Sequence, residues 1–191
     1  MTSPFEKTQI SSAVTVSDAP AFFERHGIFY FADAAIARRA AELGIPALSE
    51  PSSLREFEMK DPRLEKILES YVPQFTYPFG GRTGPHFATA LQSASDQANQ
   101  ATVYIFTNRT ILEFFPESHI GYLAGSKASN GLYQVPYPFM KDIRKLNERV
   151  IEMDGGGVLM VHPRVVFGSS DGSFSMAYGC KRDAKDSSAS Q

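Results

Sequence analysis

The stretch Glu152 to Tyr178, EMDGGGVLMVHPRVVFGSSDGSFSMAY, decides the fold. Met153 to Gly157 is a turn, because several glycines reach φ > 0 without steric cost. Val158-Leu159-Met160-Val161 is an unbroken apolar run of strand length, as a buried strand requires. His162-Pro163 interrupts it, and Val165-Val166-Phe167 resumes it. Gly168 to Gly172 reads as a second turn and Phe174 to Tyr178 as a third strand. Short strands joined by glycine turns fit a sandwich or barrel.

The neighbouring sequence continues this pattern. Thr102 to Thr107 and Ile111 to Phe115 are strand material on either side of a turn at Asn108-Arg109. Glu148 to Met153 leads into the opening stretch, and Phe139 to Leu146 has room for a short helix. Gly121 to Pro138 and Phe75 to Gln100 are dense in turn formers, and long loops inside a compact domain are usually functional or mobile. The N-terminal part differs. Asp18 caps a short helix with Pro20 in its first turn, and His26-Gly27 ends it before the strand Ile28 to Phe31. His26 reads as a partner of that helix C-terminus rather than a metal ligand. Asp33 caps a second helix, stopped by Gly44 and Pro46, with Arg38 and Arg39 on its solvated face. A third runs from Asp61 to Tyr71, where Leu64, Ile67, Leu68 and Tyr71 form one apolar stripe. Helices first and short strands after argue for a mainly β domain with N-terminal helices packed on its core.

Length and composition are consistent with that architecture. A chain of 191 residues suits one domain with a sizeable core. The expected limits are an arm over 1–17 and a single domain over 18–180, helical to about 74 and β from about 75, with a disordered tail over 181–191. A net charge of −2 and no basic patch exclude a nucleic-acid partner. No apolar run reaches membrane-span length and no secretory leader is visible, so a cytoplasmic location is expected. The single cysteine, Cys180, excludes an internal disulfide framework. Fifteen Phe and eight Tyr without Trp point to a ring-rich core or interface.

Three local motifs carry a family resemblance. His162-Pro163-Arg164-Val165-Val166-Phe167-Gly168-Ser169 resembles the His-Pro-x-x-x-His-Gly-Ser block of the phytanoyl-CoA dioxygenase-like Fe(II)/2-oxoglutarate oxygenases. The acidic-Gly turn before Val158 resembles the turn that enters that block. Pro116-Glu117-Ser118-His119 resembles the family's Pro-Gly-Ser-His turn, with Glu117 in place of Gly. The resemblance spans roughly residues 86 to 178 and implies a double-stranded β-helix, the jelly-roll or cupin-like core. It places the His-x-Asp ligand motif at His86-Phe87-Ala88, 81 residues before Phe167.

The resemblance also implies a chemistry that these residues do not complete. The family holds Fe(II) with two histidines and one carboxylate. Here His86 is kept, Ala88 stands at the carboxylate position and Phe167 at the second histidine. The strand from Ser173 to Tyr178 lacks the arginine that would pair with 2-oxoglutarate, and Lys181 and Arg182 fall in the tail. Asp96 and His162 are the substitute ligands a shifted alignment would offer. A His-x-Ala motif also occurs in oxygenase-like halogenases, but those keep the second histidine. No metal, catalytic or cofactor-binding residues are therefore expected in this chain.

The resulting expectation is a degenerate oxygenase-like subunit. It resembles the non-catalytic partner of fungal meroterpenoid oxygenase heterodimers, paired with a catalytic paralogue that carries Fe(II) and 2-oxoglutarate. The alternatives are a metal-independent isomerase or cyclase acting on a terpenoid, a binding module for an apolar small molecule, or a dioxygenase with a non-standard site. Candidate partner-facing or pocket residues are Arg82, His86, Phe87, Tyr122, Tyr133 and Tyr137.

Overall fold

The computed structural model describes residues 3–77, 87–88, 99–128, 132–171 and 174–182. Its helices are α1 (Ala19–His26), α2 (Ala34–Leu48) and α3 (Pro62–Leu68), with a 3-10 turn at Pro51–Glu56. The strands are β1 (Ile28–Ala32), β2 (Tyr71–Tyr77), β3 (Phe87–Ala88), β4 (Gln100–Phe106), β5 (Thr110–Phe115), β6 (Ser126–Lys127), β7 (Tyr133–Gln134), β8 (Arg149–Met153), β9 (Gly157–Val161), β10 (Val166–Asp171) and β11 (Phe174–Arg182).

Two antiparallel sheets face each other, one ordered β1-β9-β4-β11-β2 and the other β6-β7-β3-β10-β5-β8. Successive strands cross between them. β2, β4, β9 and β11 lie in the first sheet, and β3, β5, β8 and β10 in the second. This alternation is the winding of a jelly roll, as the opening stretch and its resemblance lead one to expect. Tyr104 lies opposite Leu159 on one side and Ala177 on the other. Directly opposed residues share a face, so these three point the same way. Their face meets Phe114 and Phe167 of the second sheet, and all five are buried in one apolar core.

Each sheet has a separate outer cover. α2 packs on β4, β9 and β11, and the 3-10 turn packs on β2. Gly44 (φ 71°, ψ 162°) breaks α2 where the sequence places its stop. Asp61 caps α3, its carboxylate accepting the Arg63 N–H at 2.9 Å. The second sheet is covered by residues 119–128 and 132–148, under which Phe115, Leu123, Tyr133, Val135, Met140 and Val166 form a smaller core.

The N-terminal arm is packed rather than frayed. A Phe5↔Ile10 bridge folds it into a small hairpin. Lys7 O accepts from the Glu152 N–H of β8 at 2.8 Å, and Thr8 O accepts from the Ala32 N–H of β1 at 2.8 Å. β1 and β8 are the edge strands of the two sheets. The hairpin therefore satisfies exposed edges and closes one side of the sandwich. Phe5 enters that side, edge-on to Phe114 at 5.6 Å.

Four expectations are corrected. The α3 stripe ends at Leu68, and Tyr71 opens β2 instead. β2 was unexpected because Pro73 breaks its pattern. It is an edge strand paired only with β11, where a missing N–H is tolerated. Gly168 to Asp171 continues β10 rather than turning, because the β5 ladder holds Gly168 against Glu113. β11 runs to Arg182, since Lys181 and Arg182 still pair with Val72 and Tyr71, so they belong to the sheet and not to a tail. Residues 183–191 lie outside the described residues. Phe139–Ile143 forms a single π-type turn. No described helix is long and apolar enough to cross a membrane.

Candidate functional site

The inner wall at β10 carries the expected second-histidine position. Phe167 stands opposite Phe87 of β3 and Phe114 of β5. The ladder thus aligns Phe167 with the Phe87-Ala88 segment, bringing two parts of the expected ligand set to adjacent strands. The Phe167 side chain is 2% exposed. Its ring meets Tyr104 of the facing sheet, with centroids 5.4 Å apart and planes at 66°. Edge-to-face contact of this kind is a favourable packing of aromatic quadrupoles. Tyr104 in turn stacks near Phe106 at 6.3 Å, and Phe114 meets Tyr30 at 5.8 Å. The interior is a run of rings.

The strand that would carry the 2-oxoglutarate cation shows the same character. Ala177 faces Tyr104 across β4 and β11. Two positions on, Gly179 is covered by the Phe75 ring, which leaves no room for a Cβ. Arg182 does lie on this strand, which the sequence reading missed. Its guanidinium is held by Glu24 at 2.8 Å and by the Tyr71 hydroxyl at 3.3 Å, at the strand's far end from Ala177. Tyr178 points under the 3-10 turn, its hydroxyl 3.0 Å from Ser53 Oγ.

At the described positions of the expected ligand set, no donor atom is offered to a metal ion. A phenyl ring has no donor atom, Ala88 supplies no carboxylate, and the wall across from Phe167 presents Tyr104, Ala177 and Leu159. Among the described residues no three His, Cys, Asp or Glu side chains are grouped to hold a metal ion. His86, Arg82 and Asp96 lie outside the described residues.

Three of the chain's four histidines gather elsewhere, at one end of the sandwich. His26 closes α1 and places Nδ1 3.0 Å from Glu117 Oε1. His119 Nε2 lies 3.0 Å from Glu24 O, and its ring sits 4.9 Å from that of His162. His162 Nδ1 accepts the Arg164 N–H at 3.1 Å, and Ser118 Oγ accepts the Val166 N–H at 2.8 Å. The two family-like turns thus meet here and tie α1 to β5 and β10. Gly27 is required twice over: its φ is +73°, and a Cβ would lie 2.5 Å from His119 Nδ1. Glu117 is left-handed too, at φ 65°, which is why glycine suits that turn position. Burial holds all three imidazoles below the usual histidine range. His162 is pushed to about 3, by desolvation first and then by His119 and Arg164. Neutral, hydrogen-bonded imidazoles of this kind are structural parts of a joint.

Of the predicted surface residues, Tyr122 is 67% and Tyr137 39% exposed. Tyr133 is 7% exposed and belongs to the small core beneath them. Phe87 is placed only by its register in β3.

These features define a jelly roll with an aromatic interior. The chain superposes on the epimerase SnoN in complex with Fe3+, α-ketoglutarate and a nogalamycin compound (TM-score 0.52, 14% identity, 90% of this chain and 85% of that one). It also matches EctD from S. alaskensis with bound Fe (0.54, 13%, 94% and 82%). A third match is EvdO2 from Micromonospora carbonacea var. aurantiaca complexed with 2-oxoglutarate (0.53, 11%, 92% and 94%). At these identities the likeness establishes the fold. No family model and no curated protein matches the chain.

Proposed function

We propose that this chain is a non-catalytic, oxygenase-like subunit that binds and stabilises an active Fe(II)/2-oxoglutarate-dependent oxygenase of terpenoid or meroterpenoid secondary metabolism in the cytoplasm. The observation that carries this reading is the Phe167 ring. It lies edge-on to Tyr104 between the sheets, where the resemblance places an iron-binding histidine. SnoN and EctD hold iron, and EvdO2 holds 2-oxoglutarate, in this same fold. Here the fold is kept and the donors are replaced by packing. A fold without its donor set is retained for its surfaces, and the partner then supplies metal, co-substrate and substrate sites.

Co-expression with an oxygenase paralogue that keeps His-x-Asp and the second histidine, followed by size-exclusion chromatography and turnover assays, tests the reading. A single co-eluting complex, with the oxygenase losing activity or solubility when this chain is omitted, is the expected result. Separate monomers and a fully active lone oxygenase contradict it. A metal-independent isomerase would instead convert a terpenoid substrate with this chain alone.

A further inference from the structure

The cover over the second sheet carries an exposed apolar shelf. Ile120 is 53%, Tyr122 67%, Tyr137 39% and Ile143 71% exposed. These side chains are held together. Arg144 donates to Ser118 O at 2.7 Å and to Ile120 O at 2.5 Å, which fixes the 118–122 turn against the π-type turn that carries Ile143. Arg164 adds a bond to Gly121 O. The Tyr122 ring packs on Phe139 at 6.0 Å, and the Tyr137 hydroxyl donates to Glu148 at 2.9 Å. The shelf is therefore preorganised, and rigid aromatic anchors lose little entropy when a partner covers them.

Charge says which kind of partner fits. Residues 119–150 hold five basic side chains, Lys127, Lys141, Arg144, Lys145 and Arg149, against only Asp142 and Glu148. The whole chain is net −2, so this segment is a local reversal of sign. We infer that this shelf is the docking face for the oxygenase subunit proposed above, which presents an apolar patch rimmed with acidic side chains. This inference rests on that proposal and adds where the partner sits and what its surface carries. Complementary rims steer association and fix register more than they add affinity.

The test measures binding of an oxygenase paralogue that keeps His-x-Asp and the second histidine to wild-type chain and to four variants by isothermal titration. Tyr122→Asp and Ile143→Asp are expected to weaken binding by about thirtyfold each, as loss of a central anchor does. The pair Lys141→Glu and Lys145→Glu is expected to abolish most of the salt dependence of association. Val16→Asp, exposed on the N-terminal arm, serves as the control and binds as wild type. Circular dichroism melts confirm that each variant is folded. If wild type binds and the shelf variants bind equally, the docking face is wrong while the subunit proposal stands. If wild type does not bind at all, the subunit proposal fails and takes this inference with it. If Ile143→Asp instead breaks a homodimer of this chain, the shelf meets a second copy and the acidic partner is overturned.

Discussion

Phe167 and Tyr104 meet edge to face between the two sheets, 5.4 Å from centroid to centroid. One ring comes from β10 and the other from β4, so the contact joins the sheets across the interior. It places a packing interaction at the position where the motif resemblance expects the second histidine. Phe167→Ala is expected to cost about 3–5 kcal/mol, as deletion of a buried Phe does. Phe167→His is expected to be destabilising as well, because an imidazole there is buried among apolar neighbours. Urea denaturation reads both. A loss below about 1 kcal/mol for Phe167→Ala would mean that the ring stands in an open pocket and not in a core.

Acid should loosen the joint between α1 and the sandwich. His26, His119 and His162 all have folded pKa values below 6.5. A base with a lowered folded pKa binds more protons when unfolded. Its contribution to stability is therefore present above pH 6.5 and is lost as pH falls toward the folded value, about 3 for His162. From pH 6.5 to 5, His162 alone accounts for about 2 kcal/mol. Chemical denaturation at pH 7 and pH 5 checks this, and His162→Asn should flatten the dependence. Equal stability at the two pH values contradicts it.

Glu117 occupies left-handed backbone at φ 65°. Glu117→Gly removes that strain, about 1–2 kcal/mol. It forfeits the half-exposed contact with His26, which contributes little at pH 7, and adds chain entropy to the unfolded state. The expected net effect is a gain of about 0.5–1 kcal/mol, read as a higher melting temperature. A loss larger than about 1 kcal/mol would show that the Glu117 side chain holds the turn.

Arg63 fastens the N-terminal hairpin. It pairs with Asp61 at 2.6 Å and donates to Ile10 O at 3.1 Å and Ser11 O at 2.7 Å. Both side chains of the pair are nearly buried, at 12% and 11% exposure. Arg63→Ala leaves the nearly buried Asp61 carboxylate without its cation, removes the side-chain donor to Ile10 O and Ser11 O, and should cost about 3 kcal/mol. Arg63→Lys should recover little, since an ammonium lacks the planar fork. Hydrogen exchange at Ile10 and Ala32 should quicken in both variants. Unchanged exchange contradicts a fastening role.

Much of the fold was legible because the strands of the opening stretch are apolar and glycine-punctuated. Val158 to Val161 reads as buried and is buried. The winding could be named only through the His162 and Pro116 turns, which the structure brings together at His119 and His162. The limits of reading lay where pairing overrides local pattern. β2 contains Pro73, and Gly168 to Asp171 looks like a turn, yet ladders to β11 and β5 make both into strand. The tying of β1 and β8 by residues 5–10 has no local signature, because it depends on edges far apart in sequence. At the site, Phe167 was visible as a substitution. Its partner Tyr104 was not, because no spacing rule links β4 to β10 across a sandwich.

On the proposed reading, the interior around Phe167 is packing and not a metal site. Anaerobic titration of the purified chain with Fe(II) and 2-oxoglutarate, with bound metal quantified and succinate followed after oxygen is admitted, tests it most directly. No stoichiometric iron and no succinate are expected from this chain alone. Stoichiometric iron with succinate formation would contradict it.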